Sequence, residues 1–214
     1  MTKTVKNALK AMGILTAIAV VCVGILTVCN MYFPKYKPTL DAQTAELING
    51  ICPTGVAHDV AMNDGYIVML DEDGYGGVDA FNKAHKADKA TVLAVYGEPK
   101  GDNAGAFVIE CSSEGRDGEI VLLVAFKSGK VAGAVVKKQN ESYFNKLPAD
   151  ILDNAIGTDG KVNADDLAGK TGATLTRNAM ARALGISGAF AAEKGEALGG
   201  IISELAKGGT EANA

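Results

Sequence analysis

The chain has 214 residues, enough for one domain of ordinary size with appendages at its ends. Its formal charge is −4, and neither a basic patch nor an aromatic stacking platform stands out, which argues against a nucleic-acid partner. Among the four cysteines, Cys22, Cys29, Cys52 and Cys111, no pair has metal-ligand spacing such as C-x-x-C, so no metal is assigned.

The first 34 residues differ from the rest. From Ala11 to Pro34 no side chain is charged, and most positions are Ala, Val, Ile, Leu, Met, Cys or Thr. At 1.5 Å per residue these 24 residues extend about 36 Å, enough to cross a hydrocarbon core of roughly 30 Å with some tilt. A cleaved signal peptide would have a shorter apolar core and a small-x-small cleavage site, and Val28-Cys29-Asn30-Met31-Tyr32 offers none. Residues 1–34 are therefore expected to be a cytoplasmic N-terminus and one transmembrane helix. Lys3, Lys6 and Lys10 precede the span and Lys35 and Lys37 follow it, a bias that favours an extracytoplasmic C-terminal domain. Past residue 34 there are 18 basic and 25 acidic side chains, a formal −7. Cys22 and Cys29 are expected to pack within the span, and an oxidising exterior leaves a Cys52–Cys111 bridge open.

Residues 35–55 read as a connector. Pro34 and Pro38 disfavour a continuous helix there, and Thr39 to Asn49 then has helical spacing at Leu40, Ala45, Leu47 and Ile48. The domain proper is expected over 56–195. Val56–Met62 and Tyr66–Leu70 flank Asn63-Asp64-Gly65, a hairpin signal. A short polar helix is predicted over Asp79–Lys89 and a strand over Thr91–Tyr96. Ala106–Cys111, Glu119–Lys127 and Lys130–Lys138 read as three consecutive strands, turned by Glu114–Gly118 and Ser128-Gly129. The small residues within Val131–Val136 imply a sheet face closely approached by another element.

Pro148–Ile156 is predicted helical, with Pro148 near the first position. A second helix is predicted from about Arg177 to Lys194, with Met180, Ala183, Leu184, Ile186 and Phe190 on its apolar face. Residues 196–214 read as a C-terminal tail with a turn or two of helix around Ile201–Leu205. The fold class expected is α+β: one N-terminal transmembrane helix, then an extracytoplasmic domain with an antiparallel sheet and helices on one side.

The segment Gly169-Lys170-Thr171-Gly172-Ala173-Thr174-Leu175-Thr176-Arg177-Asn178 is a loop of small and hydroxyl residues opening into a helix. Such a junction presents unpaired backbone N–H groups and the positive end of the helix dipole, a setting suited to phosphate. Lys170 and Arg177 flank it with positive charge, and Thr176 is placed to cap the helix. A capped helix start without ligand explains the same residues. No residue is assigned an acid–base role for a substrate; His58 and His85 are isolated and read as structural.

Thr171-Gly172-Ala173-Thr174, followed by Leu175-Thr176, resembles the S/T-G-A-T motif of covalent FMN-binding domains. The motif belongs to the single-span flavin-carrying subunit of the Rnf ion-translocating complex and to its counterpart in the sodium-translocating NADH:quinone reductase. Gly115-Arg116-Asp117-Gly118-Glu119-Ile120 stands where that family has a G-Y-G-G-x-I turn, and the strands around Ser128-Gly129-Lys130 are similar to its paired strands. Two departures are plain. Ala168 stands where the motif usually has Asp, and Asp166 lies two residues earlier. Gln139-Asn140-Glu141-Ser142 matches H-x-E-T-P-G-L-G only at Glu141 and Ser142, without the Pro-Gly turn.

The resemblance implies FMN joined to Thr174 through a phosphoester made by a flavin transferase, with Thr171, Gly172, Ala173, Leu175, Thr176, Lys170, Arg177, Glu141 and Ser142 around it. It implies a redox subunit of a membrane-bound, ion-translocating ferredoxin:NAD oxidoreductase, held among other membrane subunits, with its domain outside the inner membrane. A quinone-reductase-type subunit, a stand-alone anchored flavodomain, and a cofactor-free anchored surface module are the alternatives.

Overall fold

The computed structural model describes residues 40–52, 68–69, 77–86, 89–97, 106–168 and 173–211, together with Met12, Leu15, Thr16 and Ala19. The chain divides into two units, Met1–Lys37 and Pro38–Ala214. In the first, the four described residues are helical, the Thr16 hydroxyl donates to Met12 O at 2.9 Å, and the Met12 and Leu15 side chains are exposed. Most of the expected span lies outside the described residues, among which no helix is long and apolar enough to cross a membrane.

The second unit is an α+β domain built on an antiparallel sheet. Its strands are β1 (Val68–Met69), β2 (Ala90–Gly97), β3 (Phe107–Glu114), β4 (Glu119–Lys127) and β5 (Lys130–Lys138), hydrogen-bonded in that order. The β4–β5 connection is the tight hairpin predicted at Ser128-Gly129; both residues have positive φ, 52° and 74°, as a two-residue hairpin requires. The hairpin expected around Asn63-Asp64-Gly65 lies outside the described residues, apart from β1.

Period-2 alternation sends the two faces of the sheet into separate cores. Ile120, Leu122, Val124 and Phe126 of β4 join Ile109 and Cys111 of β3 on one side. Leu123 and Ala125 join Val108, Ala94 and Tyr96 on the other. The first side is covered by a long helix, which crosses β2, β3 and β4 and buries Ala179, Met180, Ala183, Leu184, Ile186 and Phe190. The second is covered by α1 (Ala42–Ile51), whose Ala45 and Ile48 are buried there with Cys52 just after it. The expectation of helices on one side is thus corrected, since the connector helix closes the opposite face. The close approach read from the small residues of β5 falls at Gly133, where a Cβ would lie 2.6 Å from Ile51 O.

Smaller elements fill the rim. Helix α2 (Val78–Ala84) buries Phe81, edge-on to Phe190. Its Asn82 amide bonds both to Val92 O (2.8 Å) and from Val92 N (3.0 Å), satisfying β2 where a bulge shifts the register. Pro148–Ile156 forms a 3-10 turn over Ile151–Ala155, and α3 (Ala164–Ala168) follows. The long helix is α4 (Thr174–Glu211), 38 residues, starting three residues before the predicted boundary and running into the expected tail as far as Glu211. Leu198 and Ile202, one turn apart, are fully buried and carry it past Gly195, Gly199 and Gly200.

Candidate functional site

The mouth of α4 is held by a carboxylate from elsewhere in the chain. Glu141 follows β5 and is buried. Its Oε1 accepts from Asp117 N (2.8 Å) and Gly118 N (3.2 Å), and its Oε2 accepts from the Thr176 hydroxyl (2.6 Å). Gly115 makes room for it: a Cβ there would be 2.7 Å from the carboxyl carbon. The turn is closed by Gly115 N donating to Gly118 O, and Ser142 N donates back to Asp117 Oδ2 (3.0 Å). A bond to the Ser142 side chain, together with that backbone bond, holds the Asp117 carboxyl below its ordinary range. One buried carboxylate therefore joins the β3–β4 turn, the segment after β5 and the first turn of α4.

This corrects the role expected of Thr176. The first helical hydrogen bond runs from Arg177 N to Ala173 O (3.0 Å), so Ala173 stands at the cap and Thr176 is inside the helix. Ala173 has no side-chain acceptor, and the N–H groups of Thr174, Leu175 and Thr176 meet no acceptor among the described residues. Thr176 is 1 % exposed and its hydroxyl is committed to Glu141, whereas Thr174 at the first helical position is exposed, with Leu175 beside it at 56 %. The two candidate acceptor hydroxyls are thus distinguished by burial and by hydrogen bonding.

Arg177 is buried, and its Nη2 donates to Asp165 Oδ1 of α3 at 2.8 Å. Nothing in the sequence had singled out Asp165. One turn beyond Thr174, Asn178 lines a shallow cleft of about 330 Å³ with Ala181, Arg182 and residues 162–164. Arg182 closes one end by donating to Ser113 Oγ (3.1 Å) and Glu114 O (2.6 Å). A second cleft, about 520 Å³, opens beyond those residues between Lys89–Thr91 and Gly118–Glu119.

The aromatic pair after Glu141 divides. The Tyr143 ring carries the Arg116 guanidinium at 4.7 Å and the Lys146 ammonium at 4.2 Å, while Phe144 packs against the core. Lys170, Thr171 and Gly172 lie outside the described residues. His85 stacks on Phe81 and lies 3.7 Å from Glu193, a structural setting; His58 is outside the described residues. Among the described residues no group of three or more His, Cys, Asp or Glu is arranged to hold a metal.

The second buried charge network, on the α1 face, is separate from this site. Glu110, fully buried, accepts from Tyr96 OH (2.7 Å) and Lys137 Nζ (2.8 Å). No protein-family model matches the chain, and no curated protein matches it in sequence.

Proposed function

We propose that this chain carries FMN as a phosphoester on Thr174 and works as an electron carrier. In this reading it is the flavin-bearing, single-span subunit of an Rnf-type ion-translocating ferredoxin:NAD oxidoreductase, anchored by its N-terminal helix with the domain outside the membrane. The observation that carries the proposal is the state of two hydroxyls next to the T-G-A-T motif. Thr174, the motif's last residue, is exposed at the first position of α4, while Thr176, its nearest competitor, is buried on Glu141.

The residues present fit a phosphorylated group. Helix N-termini favour anions, no side chain at the cap position competes for the first-turn N–H groups, and a buried guanidinium sits in the same turn. FMN would supply the redox chemistry, taking electrons as a pair and releasing them singly. The chain's own residues do the rest. Thr174 Oγ1 carries the ester, Glu141 fixes the helix mouth through Thr176, and Arg177 offsets phosphate charge. Lys170, Thr171 and Gly172 complete the motif that the flavin transferase reads.

The test is in-gel flavin fluorescence and intact mass of the denatured full chain from a host that has the transferase. Wild type and Thr176→Ala are expected to carry one FMN and Thr174→Ala none. FMN retained on Thr174→Ala and lost from Thr176→Ala would move the ester. A wild-type band without flavin would leave the cofactor-free surface module as the reading.

A further inference from the structure

Beside the Glu141 clamp, one buried cation keeps unmet hydrogen-bond donors. Arg177 is 4 % exposed, yet its Nε and Nη1 are buried and have no hydrogen-bond partner among the described residues. Among the described residues Nη2 alone is engaged, by Asp165. That partner is poor compensation, because the Asp165 side chain is 84 % exposed and its carboxylate stays hydrated. Glu141, the nearby buried acid, makes no ion pair with Arg177; its oxygens are occupied by Asp117 N, Gly118 N and Thr176. A guanidinium cannot shed its proton in a protein, so burial leaves a fixed cation with two unmet donors, an arrangement that opposes folding.

Direction matters as much as charge. Side chains on a helix lean toward its N-terminus, so helix geometry directs Arg177 toward the turn that begins with Thr174, three residues earlier. The first-turn N–H groups of Thr174, Leu175 and Thr176 belong to the same mouth, at the positive end of a 38-residue helix. A buried cation with unused donors, above a helix N-terminus whose cap residue is alanine, is chemically complementary to an oxyanion.

We propose that Arg177 makes this mouth a reversible receptor for a phosphate-type oxyanion, and that it holds the phosphate of the group attached to Thr174. The identity of that group as FMN rests on the reading above; the anion site does not. Arg177 is then a positioning residue. It brings a phosphate to the exposed Thr174 hydroxyl before any ester exists, and it favours phosphorylated over unphosphorylated flavin.

The experiment uses the full chain in detergent, made in a host without the transferase so that Thr174 is free. It is titrated with inorganic phosphate at constant ionic strength while thermal unfolding is followed by circular dichroism. A saturable rise of about 3–6 °C is expected at tenfold excess over the dissociation constant, with no rise in chloride. Arg177→Gln is expected to lose that rise and, in chloride, to unfold no lower than wild type, because a buried cation with unmet donors has gone. Asp165→Asn removes a competing negative charge from an exposed side chain while its amide oxygen still accepts from Nη2, so it is expected to bind phosphate several-fold more tightly; it carries the test should Arg177→Gln fail to fold.

The proposal is overturned by an absent response in wild type, by an equal response in Arg177→Gln, or by unchanged or weaker affinity in Asp165→Asn. A working phosphate response in a chain that never acquires flavin from the transferase would sink the FMN reading and leave the anion receptor standing. Flavin on Thr174 without a phosphate response would do the reverse.

Discussion

Thr174 and Thr176 are two residues apart and chemically identical, yet burial gives them different work. The Thr176 hydroxyl donates to a buried carboxylate, and a hydrogen bond to a charged group contributes about 1.5–3 kcal/mol. Thr174 is exposed, where substitutions usually stay within about 0.5 kcal/mol. In the unmodified chain, urea unfolding is therefore expected to show Thr176→Val destabilised by about 2 kcal/mol and Thr174→Ala almost unchanged. A larger loss in Thr174→Ala would mean that Thr174, not Thr176, is the structural hydroxyl. The loop-to-helix junction was readable from Gly172, the threonines and the apolar positions beyond them. The role of Thr176 was not, because a cap is defined by whichever carbonyl first accepts a helical bond, and here that is Ala173. Nor does anything local to Glu141 announce a partner 35 residues away. Only the resemblance brought Glu141 and Ser142 into the site.

At the scale of elements, α1 is the least self-evident part of the fold, and a cap and one close backbone contact support the burial of its Ala45 and Ile48. Asp41 caps it, its Oδ1 accepting from Thr44 N at 2.7 Å. That backbone bond first, then one to the Thr44 side chain, with a smaller contribution from Lys137, lowers the Asp41 pKa. The folded-state value lies below the unfolded one, so the stabilisation is present above about pH 4 and fades as pH falls through the depressed value. Asp41→Ala is expected to cost about 1 kcal/mol at neutral pH, whereas Asp41→Asn keeps the cap and flattens its pH dependence. Urea midpoints of the three proteins between pH 7 and about pH 3 check this. A wild-type advantage over Asp41→Asn that grows on acidification would contradict the sign.

The other contact is Gly133, where a methyl group would meet backbone and not a yielding side chain. Gly133→Ala is expected to cost about 1–3 kcal/mol, read from the same urea curves, by forcing α1 off β5. A cost near zero would mean that α1 is not seated there. The close approach was legible in the run of small residues. Its source was not, since helical spacing at Leu40, Ala45, Leu47 and Ile48 says that a face is apolar without saying which sheet face it covers. Likewise, α4 outruns its predicted end because burial of Leu198 and Ile202 outweighs the low helix propensity of Gly195, Gly199 and Gly200.

Across the whole domain, the separation of the two cores decides the fate of the thiols. Cys111 shares the α4 face with Ile109 and Leu122, and Cys52 lies under α1 on the opposite face, so the sheet stands between them. Neither is in a disulfide, and both are buried. The bridge left open by the sequence is therefore excluded, for a reason the sequence does not display. Strand alternation assigns Cys111 a face, but the face of Cys52 depends on where a helix from outside the sheet comes to rest. Burial, and secondarily the neighbouring Glu110, push the Cys111 pKa up, and its thiol donates to Ala183 O at 3.2 Å. It stays protonated and unreactive at neutral pH, even in an oxidising compartment. Both thiols are expected to become reactive only when the two cores open together. Pulse labelling with iodoacetamide across a urea series, read peptide by peptide by mass spectrometry, should give Cys52 and Cys111 the midpoint seen by circular dichroism. If Cys52 were labelled well below that midpoint while Cys111 stayed protected, α1 would be detaching from a sheet still folded against α4, and the domain would have two cooperative units in place of one.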